Sequence, residues 1–113
     1  MIYTSSPWGT PERERELFPG AVQVSTMSHG GIILTPDRWL ELMMLYPMFR
    51  PWAGARYLEE DCDAMMVYLR WPQYFPTDII ESVLESVECL AGWKDPANDW
   101  GAILKQYRNL HPD

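Results

Sequence analysis

The chain has 113 residues, 47% of them hydrophobic, which is enough for one domain around one modest core and too apolar for a disordered segment. Nine basic residues against sixteen acidic ones leave a formal net charge of −7, a balance that argues against direct contact with nucleic-acid phosphates and permits contact with a basic protein surface. No apolar run approaches the ~20 residues of a membrane span and no basic-then-apolar leader opens the chain, so the expectation is a cytoplasmic protein without a membrane partner.

Residues 1–18 read as an N-terminal arm, ordered only where something holds it down. Trp8-Gly9, between Pro7 and Pro11, suggests an aromatic anchor, and Trp8 is expected to be exposed. The alternating run Glu12-Arg13-Glu14-Arg15-Glu16 is a solvated segment, either a helical turn or an edge strand. Pro19-Gly20 marks a turn. Ala21–Thr26 then alternates, with Val22 and Val24 on one side, and reads as a half-buried strand. Ile32-Ile33-Leu34 reads as a second strand, and Gly30-Gly31 before it predicts a hairpin or tight loop. Two strands are not stable alone, so the pair must lie against helices or accept a further strand, for which the arm is the candidate.

Thr35-Pro36-Asp37 is a helix start: Thr caps, Pro takes the first position and Asp suits the positive dipole end. The helix from Pro36 to Tyr46 is apolar nearly all round, which predicts burial or an interface between copies of the chain, so the protein is expected as a monomer or homodimer. The spacing of Leu58, Cys62, Met65, Met66 and Leu69 predicts one helix over Tyr57–Trp71, with Glu59, Glu60, Asp61 and Asp63 in its first turns. Thr77 is expected to cap a helix to Ala91 that ends at Gly92, and Asn98 or Asp99 to cap a last helix with Trp100, Ile103, Leu104 and Tyr107 on one stripe. The result is a single α+β domain over residues 1–113, a small antiparallel hairpin or sheet packed on about four helices.

Between Tyr57 and Leu90 there are eight acids and one base, so that segment alone accounts for the whole net charge of −7. Crowding Glu59, Glu60, Asp61 and Asp63 together costs repulsion, which points to a cationic partner. Cys62, among them, is disfavoured as a nucleophile because the carboxylates oppose a thiolate. Cys62 and Cys89 both fall on apolar helix stripes and are expected as buried free thiols. His29 lies in a glycine-rich loop, where a histidine serves either as a general base or binding residue or simply bonds to nearby backbone. Six tryptophans are many for this size; Trp8 and Trp52, both in loops, are the two expected at the surface. No phosphate loop, dinucleotide fingerprint, zinc spacing or nucleophile elbow is present, and no cofactor or metal is expected.

Trp8-Gly9, Val24–Gly31 followed by Leu34-Thr35-Pro36, and Leu58–Ala64, taken in that order, resemble an uncharacterised domain family of phages, plasmids and other bacterial mobile elements. That family typically shows Trp-Gly, a Val-Ser-Thr-x-Ser-His-Gly-Gly hairpin and a Tyr-Glu-Glu-Asp-Cys-Asp-Trp helix. The resemblance covers about Trp8 to Phe75, and the chain departs from it at Leu58 and Ala64. It implies a mobile-element accessory protein in a bacterial cytoplasm, a setting rich in counter-defence inhibitors.

Small size, concentrated acidity and the absence of a catalytic motif together suggest a binding protein that inhibits a host defence complex, for example an anti-CRISPR protein. Glu59, Glu60, Asp61 and Asp63, with Glu81 and Glu85, would face a basic nucleic-acid-binding groove, and Trp8 and Trp52 would anchor the contact. The alternative is a small enzyme or small-molecule binder in which His29, Glu60 and Cys62 line one cleft.

Overall fold

Turn residues and strand alternation decide the sheet. Pro19-Gly20 makes the expected tight turn, with Gly20 at φ +91°, a conformation that side chains rarely adopt. It joins β1 (Arg13–Phe18) to β2 (Ala21–Ser25), and a second turn joins β2 to β3 (Gly30–Leu34). Both pairs are antiparallel. The charged run is therefore an edge strand, with Glu14 opposite Val24 and Glu16 opposite Val22. The structure is a computed structural model that describes residues 1–112.

The remaining elements follow in chain order. Helix α1 (Pro36–Leu45) leads to a short strand β4 (Tyr57–Glu59), then α2 (Met65–Arg70), one 3-10 turn at Pro72–Tyr74, α3 (Thr77–Ala91) and α4 (Trp100–Leu110). The sheet order is β1-β2-β3-β4, all antiparallel. The α+β architecture, an antiparallel sheet with four helices, is the one the sequence predicts.

The stretch Tyr57–Trp71 departs from its predicted form as one helix. Its first three residues pair with β3 in the register Ile33↔Tyr57, Ile32↔Leu58 and Gly31↔Glu59. Every residue of β3 is buried, so its second edge needs backbone partners, and that demand outweighs helical periodicity. Helix begins only at Met65 and lasts six residues. The acids therefore sit on a strand end and a strand-to-helix turn, not in a helix's first turns.

Three helix details also differ. In α1 the capping is as expected, Arg38 N–H donating to Thr35 Oγ1 at 3.3 Å. Yet only Leu42 is fully buried there, while Leu40 is 61% and Met44 78% exposed; the sheet covers one stripe and leaves the other to solvent. Thr77 lies inside α3 rather than capping it, because the Pro76 carbonyl accepts from Ile79 and Ile80 N–H. Gly92 closes α3 at φ −85°, without a left-handed turn. Asp99 does cap α4, accepting from Ala102 N–H at 3.0 Å.

The sheet is covered on both faces. On one, Ala21, Ile32, Leu34 and Leu58 meet Leu42, Tyr46, Phe49, Met66, Val67 and Leu69 from the helical side. On the other, Val22, Val24 and Ile33 are covered by Tyr3, Trp8 and Tyr57. The N-terminal arm is thus not loosely held, and its last six residues are strand β1. The Ile2 and Tyr3 N–H groups donate to the Glu14 carboxylate at 2.8 and 2.7 Å, which holds that carboxyl below its ordinary range. Trp8 meets Tyr57 edge to face, with ring centroids 6.4 Å apart, and its six-membered ring lies against Gly31. It is half-buried rather than exposed.

A Cβ at Gly31 would overlap both the Leu58 carbonyl and the Trp8 ring. Gly31→Ala is expected to lower stability in urea by roughly 2–4 kcal/mol. Combining it with Trp8→Ala should not restore the loss, because the collision with the Leu58 carbonyl, a backbone atom, persists. A double variant as stable as Trp8→Ala alone would contradict this packing.

Candidate functional site

Antiparallel pairing of β3 and β4 carries residues 28 positions apart to one end of the sheet. Gly31 lies opposite Glu59, and Glu60 N–H donates to the Gly30 carbonyl at 3.1 Å. The Ser28-His29 loop is therefore beside the Glu59–Asp63 turn. Thr26 fixes the loop: its hydroxyl accepts from His29 N–H at 3.1 Å and lies 2.7 Å from the His29 carbonyl and 3.1 Å from the Trp8 carbonyl. Trp8-Gly9, Thr26–Gly31 and Glu59–Asp63 thus meet in space.

The acids are not equivalent. Asp63 is only 5% exposed; its Oδ2 accepts from Trp52 N–H at 2.7 Å. Burial pushes its carboxyl above the ordinary range, and nearby Asp95 adds to the rise, against that hydrogen bond. This corrects the assignment of Asp63 to a partner surface: its carboxylate anchors the Trp52 loop. Glu59, half-buried, is also pushed up, first by burial, then by the adjacent Asp61 carboxylate and by Asp63, while His29 pulls it down. Glu60 and Asp61 are exposed. Glu81 and Glu85 are exposed on α3. Among the described residues, the ion pairs are Arg38–Glu41 at 2.9 Å and Arg108–Glu88 at 2.7 Å, so none of Glu59, Glu60, Asp61, Glu81 and Glu85 is bridged.

Two exposed tryptophans are tied to the acid turn. Trp52, tied to Asp63, is 76% exposed, as the sequence predicts. Trp93 is 77% exposed; it borders a groove of about 380 Å³ with Asp61, Cys62, Met65 and Cys89. The sequence reading missed Trp93 and Asp95. The only signal for Trp93 was its place just past Gly92, where a bulky residue has no helix face to pack on. Asp95 has no sequence signal; it is held by Ala97 N–H and Trp100 Nε1–H at 2.7 and 2.8 Å, bonds that pull its carboxyl down.

The thiols divide. Cys62 is half-buried, while Cys89 is exposed, contrary to the expected burial of both. Cys89 lies on the α3 face that turns away from Ile80 and Val87, the buried residues of that helix. Burial and then the carboxylates of Asp63, Asp61, Glu59 and Asp95 push the Cys62 thiol up, which opposes nucleophilic use. Among the described residues no group of three His, Cys, Asp or Glu side chains is disposed to hold a metal. His29 and Glu60 neighbour each other along the chain pairing, but the grooves beside them are separate: one is lined by Trp8, Thr26, Met27 and Ser28, the other by Asp61, Cys62 and Trp93. Neither includes His29 with Glu60. The arrangement offers a shallow, anionic, aromatic-flanked surface.

A family model for a domain of unknown function, DUF7007, matches residues 2–110. The chain belongs to the DUF7007 family. The match takes in nearly the whole chain. No curated protein and no solved structure matches it. No helix among the described residues is long and apolar enough to cross a membrane.

Two measurements test this electrostatic description. A carboxyl raised in the fold favours folding while protonated; that contribution is complete below its unfolded value of 3.8 and is lost as pH rises through the folded value. Asp63→Asn keeps an acceptor for Trp52 N–H and removes this loss. Its stability relative to wild type should therefore increase as pH rises from ~4 to ~7, read by urea denaturation; a flat difference would place the Asp63 carboxylate in solvent. With a maleimide at neutral pH, Cys89 should be alkylated at least about tenfold faster than Cys62, read by peptide mass mapping.

Proposed function

We propose that this DUF7007 protein is an accessory protein of a phage or other mobile element that acts by protein–protein contact. Its acid turn faces a basic, nucleic-acid-binding site of a host defence complex, and the protein is a counter-defence inhibitor of the anti-CRISPR kind. The observation that carries the reading is a set of carboxylates, Glu59, Glu60 and Asp61, left without ion pairs among the described residues, in a turn whose Asp63 accepts from the backbone of the exposed Trp52 and whose Asp61 shares a groove with the exposed Trp93. Desolvated aromatic anchors beside charge are the usual source of interface affinity, and indole faces also attract Arg and Lys. Glu81 and Glu85 are further exposed acids, on α3. Trp8 takes no part, since its ring packs on the sheet. The mobile-element setting rests on the resemblance of the Trp-Gly, Ser-His-Gly-Gly and Glu-Glu-Asp-Cys-Asp segments.

A second reading, a small-molecule or acid–base site, draws support from one observation: His29 lies close enough to influence Glu59, whose carboxyl is raised and adjoins Asp61. Glu60 and Cys62 would complete it. The separate grooves favour the first reading.

One experiment separates them. With a CRISPR effector complex as the partner, Glu59→Lys combined with Glu60→Lys should weaken binding by at least about tenfold, as should Trp93→Ala. Raising salt from ~0.05 to ~0.5 M should weaken the wild-type complex comparably. Added target DNA should compete with the protein, and His29→Ala should leave affinity within about twofold. Binding indifferent to salt and to charge reversal would end the first reading, and loss of function in His29→Ala alone would support the second.

A further inference from the structure

Helix α1 ties its ion pair to the body of the protein and turns an apolar face outward. Arg38 and Glu41 bridge at 2.9 Å, and the Arg38 side chain is only 17% exposed. The Arg38 guanidinium lies 5.1 Å from the Phe18 ring centroid, and Glu41 accepts from Trp71 Nε1–H at 3.1 Å. The outward side is different. Pro36, Leu40 and Met44 recur at i, i+4 and i+8, and all three are exposed, Met44 to 78%. Half-buried Trp39 and Met43 border that stripe at i+3 and i+7, and exposed Pro47 continues it just past the helix. A surface helix ordinarily presents polar groups to water. Single exposed apolar residues are common, but a contiguous apolar face about three turns long marks a contact surface.

The two ends of this face carry opposite charge. Asp37 flanks its start, exposed and without an ion pair among the described residues. Arg50 stands at its far end. Its Nη1 donates to the Pro47 carbonyl at 2.7 Å and to the Phe49 carbonyl at 2.9 Å, and it too has no acidic partner among the described residues. Such a face is complementary to itself when reversed. Antiparallel pairing sets Asp37 of each copy toward Arg50 of the other, opposes the helix dipoles and lays apolar side chains on apolar side chains. A bilayer is a poor occupant: the net charge of −7 is repelled by anionic lipid, and membrane-surface helices carry Lys and Arg along the polar face.

We propose that α1 is the interface of a homodimer, two copies of this chain paired antiparallel about a two-fold axis through the middle of the apolar face, with Leu40 against the partner's Met44. Covering the face on both copies removes on the order of 1,000 Å² from water, the lower bound of a specific interface, so the dimer is a weak one. The pairing uses no residue of the acid turn, so it stands or falls independently of the contact proposed above.

The test is sedimentation equilibrium of the full chain. Wild type should pass from monomer to dimer with a dissociation constant on the order of 10–100 μM. Leu40→Glu combined with Met44→Glu should weaken the dimer by at least about tenfold. Both positions are exposed, so the urea midpoint of this variant, measured at low concentration, should stay that of wild type. Asp37→Arg should weaken the dimer about fivefold, and adding Arg50→Glu should regain most of that loss, because both cross-pairs are rebuilt with their signs exchanged. A chain monomeric up to ~1 mM would overturn the proposal and leave the face to a different protein. A dimer indifferent to the Leu40 and Met44 changes would overturn it too, as would a double charge reversal that pairs no better than Asp37→Arg alone.

Discussion

The structure depends on the backbone pairing of a three-residue strand, β4, with β3. Without it, β3 would be a fully buried strand with one unpaired edge, and unpaired buried peptide groups are costly. The pairing also sets the position of everything after residue 60: the acid turn, the short α2 behind it, and the Trp52 loop tied to Asp63. It requires close backbone approach, which Gly31 allows, while Gly30 allows the same approach to β2 on the other side. A side chain at Gly30 would collide with the Val24 carbonyl and crowd the Glu60 carboxylate; one at Gly31 would strike the Leu58 carbonyl. The glycines that, in sequence, suggest a ligand-binding loop have a packing reason instead.

The same applies to Trp8. Its indole occupies the space that the missing Gly31 side chain leaves, beside Val24, Ile33 and Tyr57. Fully burying a valine or isoleucine is worth roughly 1.5–3 kcal/mol, and three such residues on this face would lie open to water without the arm. Glu14 completes the attachment by accepting from the Ile2 and Tyr3 N–H groups. The alternation of the charged run has a structural use: Glu14 and Glu16 lie on the arm side with Val24 and Val22, and Arg13 and Arg15 on the other. A charged edge strand of this kind also resists pairing with further chains.

Much of the fold was legible because local chemistry and tertiary structure agree there. Thr35-Pro36-Asp37, Pro19-Gly20 and Asp99 each act as their types suggest. The α+β class follows from a β-branched alternating segment ahead of three apolar helical stripes. The failures have a common cause, a long-range contact absent from the local pattern. Leu58 through Leu69 fits a helical stripe, yet Leu58 enters the core from the sheet and Met66, Val67 and Leu69 enter it from the helical side. Spacing could not reveal that the first three residues are needed as a strand. Cys89 failed differently: α3 buries only Ile80 and Val87 completely, so its apolar stripe is narrower than the composition implies. At the site, the sequence located the acids and Trp52 but not the burial of Asp63, the packing of Trp8 or the nearness of Trp93, which all depend on loop positions.

Five of the chain's seven arginines are engaged away from the acid turn. Arg38 bonds Glu41 and the Pro19 carbonyl and lies over Phe18, Trp71 and Tyr74. Arg50 serves the Pro47 and Phe49 carbonyls, Arg56 the Leu34 carbonyl, Arg70 the Glu41 carbonyl, and Arg108 pairs with Glu88. Guanidinium groups here finish helix ends and strand ends rather than neutralise Glu59, Glu60 and Asp61. The raised carboxyls of Glu59 and Asp63 register the resulting burial and repulsion from inside the protein. A cation arriving from outside would relieve the repulsion without breaking any bond described above. The proposed contact with a basic partner rests on that asymmetry, five arginines engaged elsewhere and Glu60 and Asp61 left exposed without ion pairs among the described residues.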